Sequence, residues 1–512
     1  MKNAAFLVFT IILIVFSTVP ASAAVKKTDR KWQDESIYYI MVDRFNDGDS
    51  KNAPDVDTKN PLAYNGGDFQ GIIDKLDYIK DMGFTSIDLT PIFDNAGKSY
   101  DGESVLNYYK TDAHFGSIKT FKKLVKEAHK RHIKIIIDFV ANSVAPTHPW
   151  VNDPKKQNWF HPKQQENVSS TSQQVLENSW IDGQPDLNQE NPEVTNYLVN
   201  AAKWWIKETN IDGYRLVAAN FVPPAFWTTF SKAVKSVKNG FYLLGDIQSD
   251  DPNVVNLYKS TGMDGFTDTK LNMDLRKGFA ATDLSLNPLF SDWENTKQNA
   301  LNPYLMGTYL DNPQSARFTN DIVSNKQYPG SRWEMALTYL YTTPGIPVIY
   351  YGSEIALNGG KPPDNHRQMN FRANKDLIDY ITKLGQLRTQ LPSLTRGTFE
   401  KLYEKNGMTV YKRVYQNETS VIAINNTSKS QKVTLSSKQL EDGKELRGLL
   451  NGDVATSNQH QYKIILDRDN AEIYVLANKS GINIPLVVAI TAVYIAFFFF
   501  LYFIFKRRKQ KR

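Results

Sequence analysis

Between Ser36 and Asn142 the chain alternates short apolar runs with amphipathic stretches. SIYYIMVDRF, TSIDLTPIF and KIIIDFVAN are strand-like, while FQGIIDKLDYIKDMG and FKKLVKEAHKRHI carry apolar residues at helical spacing. This βαβαβ order predicts a mainly parallel α/β fold. The alternation continues to about Leu391, and its length and polar strand ends suit a TIM-type (β/α)8 barrel better than a doubly wound sheet. The barrel is expected over 31–142 and 191–393. Residues 143–190, rich in Asn, Gln, Ser and Pro, are too many for an ordinary barrel loop and predict a small inserted subdomain. From 394 to 478 the pattern becomes short alternating strands (MTVYKRVYQ, SVIAINN, QKVTLS, YKIILD, AEIYVLA), predicting a C-terminal all-β sandwich.

The two ends have a different character. Residues 1–23 combine Lys2, an apolar run from Ala4 to Val19 and the small triplet Ala21-Ser22-Ala23, the pattern of a secretory signal. Ile484–Phe505 is 22 residues without a charge, long enough for one transmembrane helix, and the basic tail 506–512 follows. Basic residues beside a span stay cytoplasmic. The expectation is a cell-membrane protein with one span, its body outside and its C-terminus inside.

Charge adds little beyond this. The formal surplus of +7 is matched by Lys2 and the six basic residues of the tail, so the body offers no electrostatic case for nucleic acid. The absence of cysteine excludes disulfides, thiolate metal sites and a cysteine nucleophile.

The most informative stretch is IDGYRLVAANFVPP, from Ile211 to Pro224, which reads as strand, loop and helix start. With GFTSIDLTP (83–91), DFVAN (138–142), QPDLN (184–188) and GIPVIYYGSE (345–354), it resembles the α-amylase family of glycoside hydrolases. The match is to the oligosaccharide-acting branch of neopullulanases and cyclodextrin glucanotransferases. The resemblance covers nearly all of 34–476 and implies an α-glucan or maltooligosaccharide ligand.

It also places the family's catalytic positions. Retaining hydrolysis needs two carboxyl groups about 5–5.5 Å apart, one attacking the sugar and one donating a proton. The nucleophile position holds Val217, the acid position holds Asp246 in place of Glu, and the stabilising carboxylate is replaced by Gln314. Ser143 and Pro313 stand at two sugar-binding histidine positions. Losing a nucleophile from groups that act as a unit costs on the order of 10⁴–10⁶ in rate.

The expectation is therefore a catalytically degenerate member that binds glucan or a partner protein. The alternatives are an active glucan hydrolase using displaced carboxylates, for which Asp101 is a loop candidate, and a structural ectodomain with no ligand. Substrate-binding positions by resemblance are Tyr100, Asn142, Arg215, Asn312, Arg317 and Arg367. With Val217 beside it, Arg215 is expected to pair with Asp138 or Asp246, because an unpaired buried charge is costly. Trp150, Trp159 and Phe160 are expected to pack, or else to form a sugar platform. Asp47, Asp49, Asn52, Gly66 and Asp68 resemble a structural Ca2+ site, with oxygen ligands suited to a hard cation.

Overall fold

The computed structural model describes residues 30–509 apart from 98, 164–172, 181–182, 301 and 480–483. Eight parallel strands run in chain order: β1 (Ile37–Ile40), β2 (Ser86–Leu89), β3 (Lys134–Val140), β4 (Gly213–Val217), β5 (Tyr242–Gly245), β6 (Gly265–Phe266), β7 (Gly307–Tyr309) and β8 (Ile346–Tyr350). Their spatial order is β6-β5-β4-β3-β2-β1-β8-β7, and a parallel bridge from Thr267 to Gly307 joins the two ends. The result is a nearly closed barrel. Every residue of β1, β2, β4, β5 and β8 is buried, as parallel strands covered on both faces require.

Local signals set the helices around it. The helix Ile118–Lys130 starts where Ser117 accepts from the Thr120 amide and turns Phe121, Leu124, Val125 and Ala128 inward. Helix Pro192–Thr209 has Asn191 as its cap and ends at Asn210, whose backbone is left-handed. The stretch 69–83, expected as one helix, is two: Phe69–Asp74 and Leu76–Asp81. At Lys75 the amide turns back to Ile72 and Ile73 and the backbone leaves helical geometry.

Residues 143–190 form short 3₁₀ turns at Pro149–Asn152 and Pro154–Trp159 and a helix at Gln173–Glu177. The segment is tied to the barrel by bridges from Ser143 to Asp186 and from Phe160 to Leu187. Trp150 and Trp159 pack on each other at 4.7 Å, and the Trp159 indole donates to Glu193, so these rings serve packing.

The C-terminal domain is all-β. A six-stranded sheet, from Thr398–Lys405 through Val454–Thr456, faces the pair Gln431–Ser436 and Gln461–Leu466 across Val410, Val433, Tyr462, Ile464 and Tyr474. It is bolted to barrel helix Pro329–Thr342. Buried Arg413 donates to the carbonyls of Thr342, Gly397 and Thr398, and Arg332 reaches Asn426 and Asp469.

The expected signal segment, 1–23, lies outside the described residues. Ile484–Lys509 is one helix, and Ile490, Val493, Phe498 and Phe500 are exposed on it. Among the described residues no helix is long and apolar enough to cross a membrane. The expected span at 484–505 is thus not borne out; the side chains of 484–489 lie outside those described.

Candidate active site

The inward-facing residues at the C-terminal ends of the strands build a cluster of acids around one guanidinium. Arg215 on β4 is buried across from Asp138 on β3, its register partner. Its Nη1 donates to the Tyr39 hydroxyl at 2.5 Å and to Asp138 Oδ2 at 3.4 Å. Its Nη2 lies 3.1 Å from Asp246 Oδ2. Tyr39 on β1 donates in turn to Asp138 Oδ2 at 2.6 Å, and Thr267 donates to Asp246 Oδ1 at 3.1 Å. Arg215 therefore pairs with both acids, as an otherwise unpaired buried cation requires.

More negative groups are present than this cation offsets. Burial, ahead of the opposing pull of Arg215, pushes the Asp138 carboxyl up to about 7. Asp88 on β2 shares the register of inward-facing Tyr39, is fully buried, and has no protein hydrogen bond to either oxygen. Burial first and Asp138 second raise it well above the usual carboxylate range. Glu103, on the loop after β2, is pushed up to about 8 by burial and by the charges of Asp101, Asp138 and Asp246, with Arg215 opposing.

Val217 ends β4 and is 6% exposed, with Ala218 after it in a left-handed conformation. The Ala219 amide bonds the Asp246 carbonyl at 2.8 Å, which fixes this turn against β5. The Val217 isopropyl group, expected at the nucleophile position, carries no oxygen. Gln314, expected at the stabiliser position, is exposed.

The remaining expected sugar contacts are dispersed. Tyr100 is buried, with the Arg44 guanidinium 3.9 Å from its ring centroid and its hydroxyl bonded to His366, so its face is covered rather than open for stacking. Asn312 caps its own loop, accepting from the amide and hydroxyl of Ser315 at 2.9 and 2.7 Å. Arg317 is fully buried and donates to the carbonyls of Asn365 and Tyr351. Arg367 is exposed and paired with Asp364 at 2.7 Å. The Asn142 amide, oriented toward its acceptors, donates to the Phe221 carbonyl at 2.6 Å and Asp186 Oδ1 at 2.9 Å. Asp311 accepts from the Phe318 amide and the Ser353 hydroxyl and lies 3.6 Å from Arg317.

At the expected cation site, Asp68 is taken up by nitrogen donors: the amides of Gly48, Asp49 and Gly71 and the Asn52 side chain. Among the described residues no group of three or more histidine or acidic side chains is arranged to hold a metal ion. Asn52 Oδ1 is nevertheless buried without a protein partner. Asp47 is raised by burial, then by Asp68 and Asp49. These two keep oxygen atoms available to a hard cation.

Residues 39–386 match the α-amylase catalytic domain, and 397–474 match the α-amylase C-terminal domain. The chain belongs to the α-amylase family of glycoside hydrolases. A solved Anoxybacillus α-amylase is 56% identical, with TM-score 0.87 over 89% of this chain and 100% of that one. The Geobacillus thermoleovorans α-amylase, solved with acarbose, is 53% identical, with TM-score 0.85 over 88% and 100%. Among curated proteins, neopullulanase 2 of Thermoactinomyces vulgaris is 31% identical over 86% of this chain and 77% of its own length. The β/α-amylase of Paenibacillus polymyxa is 31% identical over 86% of this chain, which spans only 38% of that longer protein. The family assignment thus agrees with the motifs, and the acid cluster stands at the end of the barrel where catalytic groups of such folds sit.

Glu103 and Asp88 were not singled out by the motifs. Asp88 had a visible signal, a charged residue inside the apolar run SIDL. Glu103 had none, because its loop lies outside every matched segment.

Proposed function

We propose that this α-amylase-family chain recognises a carbohydrate of the α-glucan class at the C-terminal end of its barrel without conventional retaining hydrolysis. Two features support the reading: Val217, at the position that the motif resemblance gives to the nucleophile, is buried, and Arg215 holds Asp246 in a buried ion pair. A retaining mechanism needs an oxygen to attack the sugar, and the Val217 side chain has none. The test is to incubate the purified protein with maltotriose and follow both product release and binding heat. Heat without product supports the reading, and steady product release sinks it.

A second reading has its own support. Two solved α-amylases are more than half identical to this chain over their full lengths, and on kinship alone an active hydrolase is favoured. Glu103 supplies a carboxyl that holds its proton near neutral pH. In that reading product release would fall on Glu103→Gln or Asp246→Ala.

Two further proposals concern the molecule's setting. The exposed apolar residues of helix Ile484–Lys509 support association of that helix with the surface of the cell membrane. Recovery in the soluble fraction of lysed cells without detergent would refute it. Calcium as a structural ion rests on Asn52 Oδ1 and Asp47, far in role from the barrel chemistry.

A further inference from the structure

The barrel-end cluster is rich in acceptors whose natural donors are already engaged. The Arg215 guanidinium is shared by Asp138, Asp246 and Tyr39. The Tyr39 hydroxyl is directed at Asp138 and the Thr267 hydroxyl at Asp246. Both oxygens of fully buried Asp88, and Oδ1 of Asp138, face the barrel interior with no protein hydrogen bond. Glu103 and Asp101 add two more carboxyl groups on the loop after β2; burial and the charges of Asp101, Asp138 and Asp246 raise Glu103, and Arg215 opposes them.

A neutral sugar hydroxyl both gives and takes a hydrogen bond, and a glucan pocket supplies donors and acceptors in mixture. This one sets five carboxyl groups against the Arg215 guanidinium. The ligand that fits such an imbalance carries positive charge and several N–H donors, since a buried carboxyl without a cation must hold a proton or remain unfavourably placed.

We infer that the pocket selects a protonated amino sugar, a hexosamine unit whose ammonium group lies among Asp88, Asp138 and Glu103. The inference rests on the carbohydrate-recognition reading above and narrows it: the sugar is cationic rather than a plain glucose unit. The ammonium group presents three donors, matching the oxygens of Asp88 and Asp138 that lack partners. Charge-assisted bonds of this kind are about twice as strong as neutral ones.

The experiment uses the full chain in detergent and compares glucosamine, N-acetylglucosamine, glucose and maltotriose by calorimetry, at a pH where the amine is protonated. Glucosamine is expected to bind about tenfold or more tighter than glucose and N-acetylglucosamine, the ratio of roughly one charge-assisted contact. It should also raise the melting temperature. Asp88→Asn should leave the free protein at least as stable and abolish the glucosamine-induced rise. Glu103→Gln, on a partly buried loop side chain, should weaken it.

Glucosamine binding no tighter than glucose overturns the inference, as does a thermal rise that survives both substitutions. Lysine binding as well as glucosamine would also overturn it, by marking a cation sink with no sugar selectivity. Release of glucose from maltotriose is scored separately: it would end the non-hydrolytic reading while the amine-to-hydroxyl ratio still decides this one.

Discussion

Arg215 Nη2 lies 3.1 Å from Asp246 Oδ2, and the same guanidinium reaches Asp138 and Tyr39. One side chain on β4 thereby ties β1, β3 and the end of β5 together. Breaking a buried pair by removing one partner typically costs about 3–5 kcal/mol. Asp246→Ala should approach that cost in urea unfolding, moderated because Asp138 stays with Arg215. A loss below about 0.5 kcal/mol, the range of ordinary surface changes, would show that the pair is not structural.

Two arginines expected at the sugar site should behave in opposite ways. Arg317 is fully buried with bonds to the carbonyls of Asn365 and Tyr351. Arg317→Met leaves those two carbonyls unanswered and should cost about 2–6 kcal/mol, at roughly 1–3 for each orphaned group. Arg367 is about half exposed and pairs only locally with Asp364. Arg367→Ala should shift stability by less than about 0.5 kcal/mol. Equal effects on thermal unfolding would contradict this division.

The acids of the pocket set a direction for pH dependence. Glu103 is pushed from its ordinary 4.5 up to about 8, and Asp138 from 3.8 up to about 7. A raised carboxyl binds its proton in the folded state over a range where the unfolded chain has lost it. Its contribution is full below the unfolded value and falls as pH rises through the folded one. Between pH 5 and 8 the native protein should therefore lose stability with rising pH more steeply than Glu103→Gln or Asp138→Asn. His148 and His366, both lowered by burial to about 4, act the other way as pH falls below 6.5. The difference between variant and native profiles, rather than either alone, is the measurement.

For the proposed calcium site, millimolar Ca2+ should raise the melting temperature, and Asp47→Asn should remove that rise. An unchanged melting point across chelator and excess Ca2+ would dispose of the ion.

Much of the barrel was readable because each of its early strands is a continuous apolar run followed by a helix with a cap. The reading of Val217 at the nucleophile position rests on the resemblance at a single residue. The contents of the pocket were less readable. Asp88 meets Asp138 only because the strands stagger around the barrel, and Glu103 arrives from a loop whose course depends on the hairpin between Phe93–Asn95 and Val105–Thr111. Tyr100 shows the converse failure. The resemblance placed it among sugar contacts, whereas the guanidinium of Arg44, far away in sequence, lies over its ring.

Arg413 crosses from the β domain to the last turn of a barrel helix, with its guanidinium enclosed by carbonyls from both sides. Dividing the chain there would take from the buried Thr342 carbonyl its Arg413 donor and from Arg413 one of its three acceptors. A fragment ending near residue 394 would thus not be a smaller version of this protein, and the two halves should melt together as a single cooperative unit.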